Sequence, residues 1–407
     1  MEKTLIYREK EEFKEVHFVL KNASAKQFYE FSFELDDFPN IRIKNVANLQ
    51  ETGLTFENNT ISGIPYVNSL HDLDIEFYHI HDEKSTEIKK VHLLVNADPK
   101  DLWKNIPADP DAVFYKPDET SYKGRFLDKK ITVASKRGRS HAHEGKFRDD
   151  DFAVKELPGN WNIVSVSDGA GSAPMAREGS RLAVVAVNNF FSSEDILHAV
   201  EKNSKDLYAS SSSEIQSKAK ENVIRLLYEG VLHAYRVLDQ TAAEHSFSIK
   251  DLHTTLIFAL AKKFDFGYVI LSFGVGDCPI NLISPDFSEV RLLNRMDVGE
   301  FGGGTRFITM KEIFNDDIVS RFGITCVNDF SYLVLMTDGI YDPKFMTESQ
   351  LENIESWKVF FDDLAGNNDD RAKVDFINDT HIDQQLLTWT DFWSRGNHDD
   401  RTLAIIY

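Results

Sequence analysis

The strand-like runs of this chain end, one after another, on aspartate, and that pattern limits its folds to those that gather strand ends at one place. Trp161–Ser172 reads Trp-Asn-Ile-Val-Ser-Val-Ser-Asp-Gly-Ala-Gly-Ser, so a β-rich run delivers Asp168 into a turn of small residues. Glycines at 169 and 171 let the backbone come close to whatever Asp168 holds, and the Gly169 carbonyl is itself a possible ligand for a hard cation. A strand followed by Asp-Gly is a common turn, but here it recurs. Tyr332–Thr337 delivers Asp338-Gly339, Tyr268–Val275 delivers Gly276-Asp277, and Asp399-Asp400 precede Thr402–Tyr407. Upstream, Asp149-Asp150-Asp151 stand in a row before Phe152. Five separated segments that each bring a carboxylate to a strand end are what an oxygen-rich site for two or more divalent cations requires.

Charge and cysteine content narrow the function classes. The 407 residues carry 46 basic and 66 acidic side chains, a formal charge of −20, which argues against nucleic acid or an anionic membrane as principal partner. Two cysteines, Cys278 and Cys326, are too few for a disulfide framework and suit a reducing cytoplasm. The start has no apolar leader, and no run of about 18 apolar residues occurs, so neither secretion nor membrane spanning is expected.

Along the chain, residues 1–96 read as an all-β, immunoglobulin-like sandwich. Its short alternating segments are Glu15–Leu20, Tyr29–Leu35, Ile41–Val46, Leu73–Phe77 and Val91–Val95, and Tyr29, Phe31, Phe33 and Leu35 share one face of a period-two strand. No catalytic constellation stands out there, which leaves a docking module as the simplest role. Residues 97–125 have linker composition, rich in Asp and Pro, yet Leu102, Trp103, Phe114 and Tyr115 favour its lying against a domain. Residues 126–407 mix strands with helices at Arg177–Phe191, Ser212–Ala243, Ser349–Ile354, Trp357–Leu364 and Ile382–Trp393. Thr254–Ala261 and Tyr268–Val275 read as a hairpin whose meander continues through Asn281–Ser284 and Glu289–Leu293. Together these predict an α+β domain of two face-to-face sheets with helices outside.

The ordered segments Arg148–Phe152, Ser167-Asp-Gly169, His253-Thr-Thr255, Gly274-Val-Gly-Asp277, Thr337–Asp342 and Asp399–Thr402 resemble the PP2C-like (PPM-type) metal-dependent serine/threonine protein phosphatases, in their bacterial branch. The resemblance spans residues 126–407 and implies a four-layer α-β-β-α double β-sandwich holding two Mn²⁺ or Mg²⁺ ions. It implies that Asp168 bridges the ions, that the Gly169 carbonyl serves one, and that Asp338 and Asp399 bind the other. Asp150 and Asp151 match the family's first acidic pair, and Asp277 and Asp342 match positions that in some relatives hold a third, looser metal. Lys146 stands where the phosphate-gripping arginine belongs, and Arg137, Arg139 and Arg148 are its possible substitutes. Ala170 replaces the histidine that follows Asp-Gly in eukaryotic members, which leaves His141 and His143 as candidate proton donors. Gly302–Arg306 sits where relatives carry a flap over the channel.

The chemistry behind such a ligand set is direct. A phosphate monoester is doubly anionic, and two cations about 3.5–4 Å apart neutralise it while lowering the pKa of a shared water. The expected activity is phosphoserine/phosphothreonine hydrolysis that opposes a cognate kinase in the cytoplasm. Two alternatives remain open at this point: a weak or inactive phosphatase-fold scaffold that binds a phosphoprotein, and a hydrolase for a small phosphorylated metabolite.

Overall fold

The computed structural model of the chain describes residues 2–297 and 304–407. It divides into two compact units, Met1–Lys104 and Asn105–Tyr407.

The first unit pairs a four-stranded sheet with a three-stranded one. The larger has the order Ala23–Ser24, Asp82–Asn96, Leu70–His79, Ile41–Ala47, and the smaller the order Tyr29–Ser32, Thr60–Gly63, Leu54–Glu57. Alternation sets the buried face: Leu73 pairs with Val91 in the ladder, and Leu73, Ile75, Val91, Leu93 and Val95 all turn inward. They meet Tyr29, Phe33, Leu54 and Ile61 from the other sheet, with Phe31 and Leu35 packed at the margin. The unit also holds a helix, Glu2–Glu15, that the sequence reading omitted. Phe13 is the buried apolar side chain of this helix, against Ile41 and Phe77; Lys10 is buried in ion pairs with Asp82 and Glu87, and the remaining length carries charge pairs such as Arg8–Glu12. A helix with so narrow an apolar stripe gives a weak periodic signal. Glu15–Leu20, expected as a strand, is the end of this helix and an irregular segment.

The second unit is a four-layer α-β-β-α stack. One sheet runs Asp151–Leu157, Trp161–Ser167, Leu256–Phe264, Gly267–Val275, Phe322–Val327, and the other runs Val290–Leu292, Ile280–Ile283, Tyr332–Met336, Arg401–Ile406, Lys129–Lys136, Glu119–Phe126, with every neighbour antiparallel. Between the sheets lie Val133, Val164, Val166, Ile257, Ile270, Leu333 and Leu335. Alternate residues point outward: Ile163, Phe258 and Leu260 meet the helices Ala176–Phe190 and Ser213–Glu244, while Val334, Met336, Leu403 and Ile405 meet Ile354–Leu364 and Ile382–Trp389. Strands buried on both faces read as continuous apolar runs, and each fully buried Leu or Ile stabilises the stack by about 1.5–3 kcal/mol.

The long helix begins where its sequence says it should, with the Ser212 side chain accepting the Ile215 amide, and it buries Val223, Leu226, Leu227, Val231, Ala234 and Leu238 at helical spacing. Two expectations differ from what is found. Ile280–Ile283 and Val290–Leu292 do not extend the hairpin's sheet; the chain crosses after Gly276-Asp277-Cys278-Pro279 into the second sheet. The place beside Gly267–Val275 belongs instead to Phe322–Val327, an edge strand that sequence alone obscured because Gly323 interrupts it. Glycine is required there, since a Cβ would stand 2.2 Å from Ser272 Oγ. The helix Glu194–Ala209 was also not foreseen.

Candidate metal centre

Strand register explains why distant aspartates meet. Asp151 opposes Ser167, Val166 opposes Ile257, and Leu256 opposes Val275, so Asp150, Asp168, Thr254 and Asp277 leave the first sheet at one end. In the second sheet Met336 opposes Leu403 and Arg401 opposes Lys136, which brings Asp338, Asp399, Asp400 and Gly138 out together.

Asp168 is fixed through its backbone. Its amide donates to Thr255 Oγ1 at 2.9 Å, and its carbonyl accepts from Thr255 N and Thr254 Oγ1, both at 2.8 Å. This is the work of the His253-Thr-Thr255 segment: it holds the strand end so that the carboxylate is left for other partners. Gly169 forms an isolated bridge opposite Thr254 that uses the Ala170 amide and the Asp168 carbonyl, leaving Gly169's own carbonyl unspent in that bridge. A Cβ at 169 would lie 2.7 Å from Asp149 O and 2.9 Å from Ala176 O, so the close approach admits glycine alone.

Asp338 opens the helix Asp338–Phe345, where the helix dipole favours negative charge. Asp150, 1% exposed, accepts from Thr337 Oγ1 (2.8 Å) and Thr402 Oγ1 (2.7 Å) with one oxygen. Its other oxygen, together with Asp338 Oδ1 and Asp277 Oδ1, is buried with no hydrogen-bond partner. Asp277 Oδ2 accepts from Thr305 Oγ1 at 2.8 Å, and Asp342 lies 3.4 Å from Asn397 Nδ2. Asp399 is exposed at the edge of the group.

Crowded carboxylates raise one another's pKa. Burial, and then the charges of Asp338, Asp150, Asp399 and Asp277, push Asp168 well above the usual carboxylate range, and burial with Asp399, Asp277 and Asp150 does the same to Asp338. Burial and Asp400 carry both Asp149 and Asp150 to about 7. Asp277 and Asp342 are also raised, chiefly by burial, and Asp399 is raised because its carboxylate is desolvated among the others and faces the charge of Asp400, although part of the residue reaches solvent. Buried acceptor oxygens without donors, in mutually repelling carboxylates, fit hard divalent cations, with the residues present supplying oxygen donors throughout.

Asp400 behaves differently. It brackets three segments, accepting from Gly138 N (2.6 Å), from the Asp149 amide and from His141 Nδ1 (3.0 Å). Against the upward push of burial, His141 and these amides hold it below its ordinary pKa. His141, buried, overcomes its own desolvation through Asp400, Asp149 and Asp399 and rises to about 9. Its ring, Asp399 and Asp400 bring donor atoms within 4.8 Å of one another.

Several expected residues stand elsewhere. The structure does not bring Asp151 into the group: its carboxylate pairs with the buried Lys116 Nζ at 2.9 Å, because strand alternation turns it away from Asp150. Lys146 is exposed and pairs with Glu144 at 2.6 Å, and His143 lies half-buried on the short helix Arg139–Glu144. The candidate substitutes for the phosphate-gripping arginine are tied in part to other groups, with Arg148 Nη1 and Arg139 Nε buried and unpartnered. Arg137 binds Asp118 (2.9 Å), Arg139 binds the Asp391 carbonyl (2.7 Å), and Arg148 is buried with its Nε on the Pro117 carbonyl (3.3 Å). Gly302 and Gly303 of the expected flap lie outside the described residues. Sequence reading gave no role to Asp149 or to the bracket function of Asp400. Period-two alternation from Ser167 back through the ladder was the available signal for separating Asp150 from Asp151; for Lys116 there was none.

A family model described as Protein phosphatase 2C matches residues 137–389. The chain belongs to the protein phosphatase 2C family. Similar solved structures include the serine/threonine phosphatase Stp1 from Staphylococcus aureus, at 15% identity over 70% of this chain and 95% of that one with a TM-score of 0.41. The serine/threonine phosphatase of S. agalactiae is 14% identical over 70% and 99%, also with a TM-score of 0.41. RsbX in complex with magnesium is 15% identical over 70% and 98%, with a TM-score of 0.36. No curated protein sequence matches the chain. Among the described residues no helix is long and apolar enough to cross a membrane.

Proposed function

We propose that the unit 105–407 is a Mn²⁺- or Mg²⁺-dependent phosphatase that removes phosphate from serine and threonine side chains of proteins, opposing a cytoplasmic kinase. The observation that carries this is the set of buried, unpartnered oxygens on Asp150, Asp277 and Asp338 beside Asp168. In this reading Asp168, the Gly169 carbonyl, Asp338 and Asp399 would hold two ions, and Asp277 and Asp342 would hold a looser one. Such ions, when bound, neutralise the phosphoryl oxygens and make water a nucleophile at neutral pH. The chain's own part is to hold the carboxylates: Thr254 and Thr255 fix Asp168, Thr337 and Thr402 fix Asp150, and Asp400 ties Gly138, His141 and Asp149 together. His141, protonated and aimed by Asp400 towards Asp149, takes the proton-donor role ahead of His143.

A protein substrate is favoured over a small metabolite by a cavity of about 600 Å³ lined in part by Lys250, His253, Arg306 and Lys311. It adjoins the site through Thr305, which bonds Asp277. Among the described residues neither Lys250 nor Lys311 is ion-paired, so both are available to acidic residues flanking a phosphorylated side chain. A second reading, a scaffold that binds a phosphoprotein with little turnover, draws on the partly engaged guanidinium groups of Arg137, Arg139 and Arg148. The deciding assay is hydrolysis of p-nitrophenyl phosphate and a phosphothreonine peptide with added Mn²⁺, in the wild type, Asp168→Asn and Asp338→Asn. Turnover abolished in both variants supports the enzyme; equal rates in all three overturn it.

A further inference from the structure

Cys278 follows Asp277 directly, at the point where the chain passes from one sheet to the other. Its side chain is fully buried, and Sγ has Thr255 Oγ1 at 3.5 Å as a weak hydrogen-bond partner. Thr255 is the residue whose hydroxyl also receives the Asp168 amide. The sulfur and one carboxylate oxygen each from Asp168 and Asp277 lie within 4.8 Å of one another, a spacing compatible with three donors around one ion. A second observation points to a ligand in the same place: Asp277 Oδ1 and the Oδ1 of Asp338, whose charge acts on Cys278, are both buried with no hydrogen-bond partner.

We propose that Cys278 makes this corner of the metal centre a mixed oxygen–sulfur site, with Asp168, Asp277 and the Cys278 thiolate as donors for a borderline-soft divalent ion such as Zn²⁺ or Co²⁺. The proposal deepens the metal-centre reading and rests on it. Hardness supplies the physical reason: carboxylates alone suit Mg²⁺ and Mn²⁺, while a thiolate among them adds affinity for Zn²⁺ and Co²⁺ and little for Mg²⁺. When sulfur binds, the S–H bond breaks, the electron pair stays on sulfur, and the proton leaves to water; no oxidant or reductant is involved. The buried position, which makes Cys278 inert to bulk reagents, is no obstacle to an ion that enters along the carboxylates. Zinc or cobalt would then compete with manganese and magnesium at this one corner.

The test is spectroscopic and needs no turnover. Metal-free full-length protein is titrated with Co²⁺ alone, and the near-ultraviolet thiolate-to-cobalt charge-transfer band is followed beside the visible d–d bands. The other cysteine, Cys326, sits on the strand Phe322–Val327 and packs against the outer core, so Cys326→Ser is the control. The charge-transfer band should appear in the wild type and in Cys326→Ser. It should vanish in Cys278→Ser, which still takes up cobalt, with Zn²⁺ affinity lowered by about tenfold or more. Cobalt uptake with d–d bands but no charge-transfer band in the wild type overturns the sulfur ligand while leaving the carboxylate centre standing; this result does not depend on how any variant folds. Persistence of the band in Cys278→Ser overturns it as well. No cobalt uptake by the wild type overturns both the sulfur ligand and the metal centre.

Discussion

At the scale of single residues, the acid group is a set of charges held together before any cation arrives. Asp149 and Asp150 each have a folded-state pKa of about 7 against an ordinary 3.8. A raised carboxylate pKa means that the folded state binds more protons than the unfolded chain between those two values, so stability falls as pH rises through that window. Above it the full repulsion is present, and a divalent cation relieves it. The expected outcome is a metal-free protein whose melting temperature drops from pH 5 to pH 8, and a Mn²⁺-induced rise in melting temperature that is larger at pH 8 than at pH 5; scanning calorimetry with and without Mn²⁺ checks both. His141 works with the opposite sign. Its pKa of about 9 lies above the ordinary 6.5, so its contribution is complete below 6.5 and is lost as pH passes 9. His141→Gln should therefore destabilise the protein at pH 6 more than at pH 10. It should also slow hydrolysis of a phosphopeptide, whose leaving group needs a proton, more than hydrolysis of p-nitrophenyl phosphate, whose leaving group does not. Equal slowing of the two substrates would remove the proton-donor role. The cationic cavity is tested in the same assay: Lys250→Glu with Lys311→Glu should raise KM for an acidic phosphopeptide several-fold and leave p-nitrophenyl phosphate unaffected.

At the scale of elements, the site is a meeting of strand ends, and Gly339 sets how closely two of them meet. A Cβ on Gly339 would fall 1.9 Å from Asp400 O, which separates the start of the helix Asp338–Phe345 from the approach to the strand Arg401–Ile406. Backbone cannot yield as a side chain tip does, so Gly339→Ala should cost about 1–3 kcal/mol in a denaturant titration and weaken Mn²⁺ binding as Asp338 moves from Asp399. Unchanged stability and metal affinity would show that the two segments have slack. The same elements show what the sequence made legible. Apolar runs ending on Asp168, Asp277 and Asp338, and the run that begins just after Asp399, could be read because strands buried on both faces leave unbroken hydrophobic stretches. The partition of those strands between two sheets could not, because nothing local to Ile280–Ile283 says which neighbour it pairs with. The acidic run at 149–151 was legible as a cluster. Its division of labour was settled by a ladder to Ser167 and by Lys116, which comes from a segment that composition marked only as linker.

At the scale of the whole molecule, the chain joins a strand-rich unit to the unit that carries the acid group. The first unit has its own core, drawn from both of its sheets, and the second has three clusters of its own. Each core is built within one unit, so residues 105–407 expressed alone should fold cooperatively and hydrolyse p-nitrophenyl phosphate with Mn²⁺ at the same rate as the full chain. If the first unit is a docking module, its removal should raise KM for the phosphoprotein substrate and leave kcat on the small ester unchanged. The split between the two substrates is what carries the argument. A structural role for the first unit predicts loss of both activities together with a lower melting temperature, since a phosphatase unit that leans on its neighbour cannot lose one function alone. A docking role predicts that the loss is confined to the large substrate, because p-nitrophenyl phosphate is too small to need a second binding surface.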